Sequence, residues 1–106
     1  HMVGDATIDK LLNTMSSQAW DFQWRLRRVR LAHGDLIRPD QIPEIVNKGI
    51  VCMKFPSQFI QTAQMYQRLG PVRFSQVQPL KSLVDAGAKV ALCSDQLGGC
   101  PNPYLD

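Results

Sequence analysis

In Gln41-Ile42-Pro43-Glu44-Ile45-Val46-Asn47-Lys48-Gly49-Ile50-Val51-Cys52-Met53, two periodicities meet at a glycine. Before it, Ile42, Ile45 and Val46 fall at the three-to-four spacing of one helix face. After it, Ile50 to Met53 is a continuous apolar run, too short for a helix and closed by Lys54-Phe55-Pro56. Such a run reads as a buried strand. Gly49 suits the stop between them, because glycine tolerates the left-handed conformation that ends helices. The unit is a helix followed by a strand, and it recurs on both sides.

Toward the C-terminus, Pro79 to Ala86 predicts a helix with Leu80, Leu83 and Val84 inward and Gly87 as its stop. Lys89-Val90-Ala91-Leu92-Cys93 predicts a strand that ends at Ser94-Asp95. Toward the N-terminus, Ile8, Leu11, Leu12, Met15 and Ala19 make one apolar stripe on a helix from Ala6 to about Trp24, with Asp5 placed to cap it. Val29 to His33 follows as a short strand ending at Gly34-Asp35. Gln58 to Leu69 is amphipathic, and Phe59, Ile60, Ala63, Met65 and Tyr66 supply a face read as core packing; Gly70-Pro71 ends it. Gln96 to Asp106 reads as loop.

Alternation of this kind predicts an α/β fold with parallel strands and right-handed crossovers. Short, apolar strands further predict a sheet covered on both faces. Three parallel strands leave two open edges, which favours a piece of something larger or an oligomer that completes the sheet. With 106 residues the chain makes a single domain.

The net charge of +3 is a mild excess concentrated at Arg25, Arg27, Arg28 and Arg30. Without a broad basic face and interleaved aromatics, it does not predict nucleic-acid binding. Arginines near a helix end are expected to cap carbonyls or face water. No run approaches the ~18 apolar residues of a membrane span, so no membrane association is expected. Cys52, Cys93 and Cys100 cannot all pair and have no paired-thiolate zinc spacing. They suit a reducing compartment, hence a cytoplasmic location, with Cys52 and Cys93 as small buried hydrophobes.

In parallel sheets chemistry gathers at the C-terminal strand ends. His33, Lys54 and Asp95 fall there. An imidazole and a carboxylate can hold a catalytic divalent metal, and a carboxylate beside it can take a proton from water. Each also has a plainer role: His33 as a hydrogen-bonded structural residue, Asp95 as a turn former, Lys54 as a solvated loop lysine.

Arg28-Val29-Arg30-Leu31-Ala32-His33, followed by Ile37-Arg38-Pro39-Asp40-Gln41-Ile42-Pro43, resembles the sixth-strand region of metal-dependent amidohydrolases, in a branch similar to N-substituted formamide deformylases. Arg68-Leu69-Gly70-Pro71, Pro79 to Gly87, Val90 to Asp95 and Pro101-Asn102-Pro103 continue the likeness in order. Val3-Gly4-Asp5-Ala6 with Ile8-Asp9 resembles the stretch after the fifth strand. The resemblance implies that residues 1–106 are a single partial barrel domain, the strand-6 to strand-8 part of a (β/α)8 TIM barrel.

The resemblance also implies a metal site. His33 would be the sixth-strand metal ligand, and Asp95 the eighth-strand aspartate that binds metal and takes the proton of the attacking water. His1 stands where the fifth-strand histidine would be, as that ligand or as the remnant of a tag. The implied cofactor is a divalent metal, zinc, and the implied substrate a small-molecule amide. Two positions depart from the family pattern: its glutamate before the histidine is Ala32, and its glycine before Ser-Asp is Cys93. The family's first-strand histidine pair and its fourth-strand ligand have no counterpart, so the chain alone is expected to be inactive. The alternative is a non-catalytic module that self-associates through its open sheet.

Overall fold

A computed structural model describes residues 1–95. The expected tail from Gln96, with Cys100 and Pro101-Asn102-Pro103, lies outside them. The described elements run α1 (Asp5–Gln18), α2 (Asp21–Arg27), β1 (Arg30–Ala32), α3 (Ile42–Asn47), β2 (Val51–Lys54), a 3-10 segment (Pro56–Gln61), α4 (Thr62–Phe74), α5 (Leu80–Asp85) and β3 (Lys89–Leu92). The strands form one parallel sheet in the order β1-β2-β3. This is the alternating α/β architecture that the helix–glycine–strand unit predicts. No described helix is long and apolar enough to cross a membrane.

Register explains the packing. Leu31, Cys52 and Val90 stand side by side across the sheet. Together with Ile50 they meet Ile8, Leu12 and Met15 of α1, Ile42 and Ile45 of α3, and Leu83 of α5 in one apolar core. The rows on either side, Arg30–Val51–Lys89 and Ala32–Met53–Ala91, are exposed or half-buried. The expectation of two covered faces is therefore corrected: among the described residues, helices cover one face. Strand apolarity alone does not say what covers a strand.

Two glycines are required where they stand. Gly49 has φ +65°, and a Cβ there would come within 2.8 Å of Arg25 Cγ, so it both ends α3 and admits α2 beside it. Arg25 donates to the Asn47 carbonyl and Arg27 stacks over Trp24 at 4.7 Å. Buried Lys48 joins Asp21 at 3.0 Å and Glu44 at 3.4 Å, fixing α2 against α3. Gly34, at φ +61°, has Ile37 Cδ1 where a Cβ would approach to 3.0 Å.

Several local expectations need correction. The single helix from Ala6 to Trp24 is two, because Ala19 and Trp20 are extended. The Trp24 indole donates to the Met15 carbonyl at 2.8 Å and so satisfies the broken end of α1. Asp5 is the first residue of α1, not its cap; Gly4 holds the cap position. Its carboxylate instead accepts from Arg73 at 2.8 Å. Val84 is 57 % exposed, because α5 turns only Leu83 fully into the core. Phe59, Ile60 and Tyr66 are also exposed. The segment from Pro56 starts as a 3-10 turn, which rotates these side chains off one helical face, and Tyr66 packs edge-on against Phe74 of its own helix. Gly70 does end the helical run as expected, at φ 72° and ψ 170°.

The Arg38-Pro39-Asp40-Gln41 stretch ties α1 to the start of α3. The Arg38 guanidinium forks onto both Asp9 oxygens at 2.8 Å and reaches Asp40 at 2.9 and 3.0 Å. Gln41 donates to Asp9 at 2.6 Å and to the Asp5 carbonyl at 2.8 Å. The guanidinium holds the Asp9 and Asp40 carboxyls below the ordinary range, and they raise that of Arg38.

A candidate site at the strand ends

Backbone pairing beyond β1 brings the N-terminus to the site. Met2 lies parallel beside His33, with its N–H on the Ala32 carbonyl at 3.1 Å and its carbonyl receiving Gly34 N–H at 2.7 Å. His1 is thereby set against His33, ring centroids 4.3 Å apart and edge to face. On the other side, the Cys93 N–H on the Lys54 carbonyl carries the chain past β3 to Asp95. His33 Nε2 and Asp95 Oδ2 come to 3.8 Å. His33 thus adjoins both His1 and Asp95, residues far from it in sequence.

His33 is 8 % exposed, and Phe55 packs on its ring at 4.3 Å. Its Nδ1 side faces polar groups that the sequence did not single out. Gln58 lies 2.9 Å from Nδ1, and buried Asp35 lies 3.9 Å from it. Gln78 donates through its side chain to Asp35 Oδ1 at 2.7 Å, and its backbone N–H meets the Asp35 carbonyl at 2.7 Å. Gln58 opens the run read as an amphipathic helix and Gln78 stands just before Pro79, and neither has a motif around it. Their contacts cross 20 to 43 residues, so no local signal marks them.

Lys54 is a clear correction. Expected as a solvated loop lysine, it is 2 % exposed, with Nζ donating to the Gly34 carbonyl. Burial lowers its pKa from 10.5 to about 8, against the opposing influence of Cys52 and Asp35. Cys52 is buried as expected, and desolvation raises its thiol pKa; Cys93 is half-buried.

Backbone strain gathers in the same place. Among the described residues, four other than glycine have positive φ: Arg28, His33, Gln78 and Asp95. Arg28 ends α2. The other three belong to the strand-end cluster, at φ 72°, 47° and 50°. Such conformations cost of order 1 kcal/mol or more per residue and persist where the surroundings impose them, characteristically at functional sites.

The donor set can be tested against a metal. Two atoms each about 2.1 Å from a tetrahedral zinc stand about 3.4 Å apart. The 3.8 Å between His33 Nε2 and Asp95 Oδ2 is close to that, and too long for a hydrogen bond. Yet no group of three or more His, Cys, Asp or Glu among the described residues is arranged to hold a metal ion. The pair alone does not make a metal site, and His1 adjoins His33 through ring contact.

Comparison with known proteins adds one positive finding. No curated protein and no solved structure matches the chain. The model of the Amidohydrolase family matches residues 1–106, the whole sequence. On that match, this chain belongs to the amidohydrolase family.

Proposed function

We propose that the chain is part of a metal-dependent hydrolase of amide-type C–N bonds in small molecules, in a branch resembling N-substituted formamide deformylases. Its three strands serve as strands six to eight of a (β/α)8 barrel, within one partial barrel domain spanning residues 1–106. The observation that carries this reading is the meeting of His33 Nε2 and Asp95 Oδ2 at the C-terminal ends of parallel strands, the functional end of such barrels. Membership of a family whose members typically depend on metal supports it. Among the described residues one sheet face is uncovered and β3 is an edge strand with Leu92 62 % exposed, which supports further strands and their side chains beside them.

In this reading His33 would hold a divalent metal, zinc, through Nε2, Asp95 through a carboxylate oxygen, and His1 would supply a third nitrogen. When bound, the metal supplies Lewis acidity toward water and the amide carbonyl. Asp95 accepts the proton of the attacking water and returns it to the leaving nitrogen. Burial of His33 against Phe55 holds the imidazole in place while substrate enters from the exposed His1 side. In this reading the chain works in the cytoplasm and is inactive by itself.

Native mass spectrometry of the purified chain, with and without zinc, tests this. A zinc adduct that disappears in both His33→Ala and Asp95→Ala is expected. An adduct that survives both changes, or none in the unaltered chain, overturns the metal assignment. A second reading, self-association through the open sheet, draws on the exposed apolar side chains of Val84 and Leu92 near the β3 edge. The same spectra would show it as a dimer indifferent to zinc.

A further inference from the structure

The polar layer under His33 contains three groups that the proposed chemistry does not use: buried Asp35 and Gln78, and half-buried Gln58. We infer that Gln58 is a positioning residue: it fixes the His33 imidazole in the Nδ1–H tautomer, and Asp35 dictates the direction in which Gln58 does so. This deepens the metal-site reading and rests on it for its function, although the tautomer itself can be observed without metal.

Asp35 is 6 % exposed and, when ionised, only accepts hydrogen bonds. Gln78 Nε2 supplies one at 2.7 Å. The Gln58 amide also faces it and can stand in two orientations. With its nitrogen toward Asp35, Nε2 donates to Oδ1 at 2.8 Å and Oε1 accepts from His33 Nδ1 at 2.9 Å, while the hydrogen bond from Gln78 is given up and the two amide nitrogens stand 3.0 Å apart. With the amide reversed, Gln58 would accept from Gln78 at 3.0 Å and donate to Nδ1. Its oxygen would then press against the carboxylate at that same 2.8 Å. Two acceptor oxygens at 2.8 Å repel with no proton between them, whereas the first orientation gives both ends of the Gln58 amide a partner and sets its nitrogen against the Gln78 amide nitrogen only at 3.0 Å, so the first orientation prevails.

The consequence reaches the other side of the ring. A proton on Nδ1 leaves a lone pair on Nε2, the nitrogen that faces Asp95 at 3.8 Å. The left-handed backbone at His33 and Gln78 holds the ends of this chain of contacts in register. Metal-binding histidines commonly have their other nitrogen hydrogen-bonded to a fixed acceptor, and loss of such a partner weakens metal affinity by about 10- to 100-fold.

The experiment is two-bond nitrogen–proton NMR on 15N-histidine-labelled, metal-free chain at a pH where His33 is neutral, with His33→Gln to assign its signals. The expected result is a protonated-type shift for Nδ1 and an unprotonated-type shift for Nε2 of His33. Gln58→Leu should move both nitrogens toward the averaged shifts of an unconstrained imidazole. An Nε2–H tautomer in the unaltered chain, or shifts unchanged by Gln58→Leu, would overturn the inference. Zinc titration of the same two proteins separates the claims: the adduct should weaken at least about 10-fold in Gln58→Leu. A locked tautomer with no zinc uptake in either protein would sink the metal reading while leaving the positioning role intact.

Discussion

Ile8, Leu31, Ile45 and Cys52, between sheet and helices, are buried as deeply as Lys54, Asp35 and His33 at the strand ends. The first set is apolar, sits on relaxed strand and helix backbone, and needs no partners beyond contact. The second holds an ammonium, a carboxylate and an imidazole, and includes or adjoins three of the four non-glycine left-handed residues among those described. Burial of apolar groups stabilises; burial of polar and charged groups costs free energy unless each is matched. One layer therefore holds the fold together, while the other is held by it. A layer built against stability, at the end of a parallel sheet where chemistry gathers, is where function is to be sought.

The widest separation between the layers should come from truncating the apolar one. Ile45→Ala empties a fully buried position and is expected to destabilise by about 2 to 5 kcal/mol in urea unfolding. A loss well under that range would mean that α3 is loosely seated and that the layers differ less than their contacts suggest.

The strand-end layer should respond in the opposite sense at Lys54. Its folded pKa of about 8 lies below the ordinary 10.5. Below about 8 both folded and unfolded chains are charged, and the folded state bears the full desolvation cost. Between about 8 and 10.5 the unfolded chain binds more protons, so stability rises with pH, by at most roughly 3 kcal/mol. Lys54→Met should lack that rise, and parallel stability–pH profiles for the two proteins would show that Lys54 is solvated after all.

The smallest effect is expected at Asp95, half-exposed and left-handed at φ 50°. Asp95→Gly relieves the backbone and should change stability by less than about 1 kcal/mol, in the favourable direction. A clear loss in the same urea measurement would place Asp95 among the residues that hold the fold.

Much of this was legible along the chain. Gly49 and Gly87 mark where helices stop, since φ there is +65° and +79°. The apolar runs at Leu31, Cys52 and Val90 mark strands, because period and length are local properties. His33 and Asp95 were legible because strand ends are local too. Other features carried no local mark. Nothing at Ala19-Trp20 announces a break, since the Trp24 indole and the Asp21–Lys48 pair impose it from elsewhere. The exposure of Val84 and Ile60 depends on what lies opposite them, which periodicity does not report.

By itself the sequence determined the alternation of helix and strand, the parallel sheet and the two strand-end residues with metal-binding chemistry. Hydrophobic period and glycine placement act within a few residues, and the chain carries both openly. Only the tertiary structure decided that Lys54 is buried and that Asp35, Gln58 and Gln78 gather beneath His33. Those outcomes rest on contacts between residues 20 to 43 positions apart, where desolvation and hydrogen-bond matching act through space and leave no trace in local spacing.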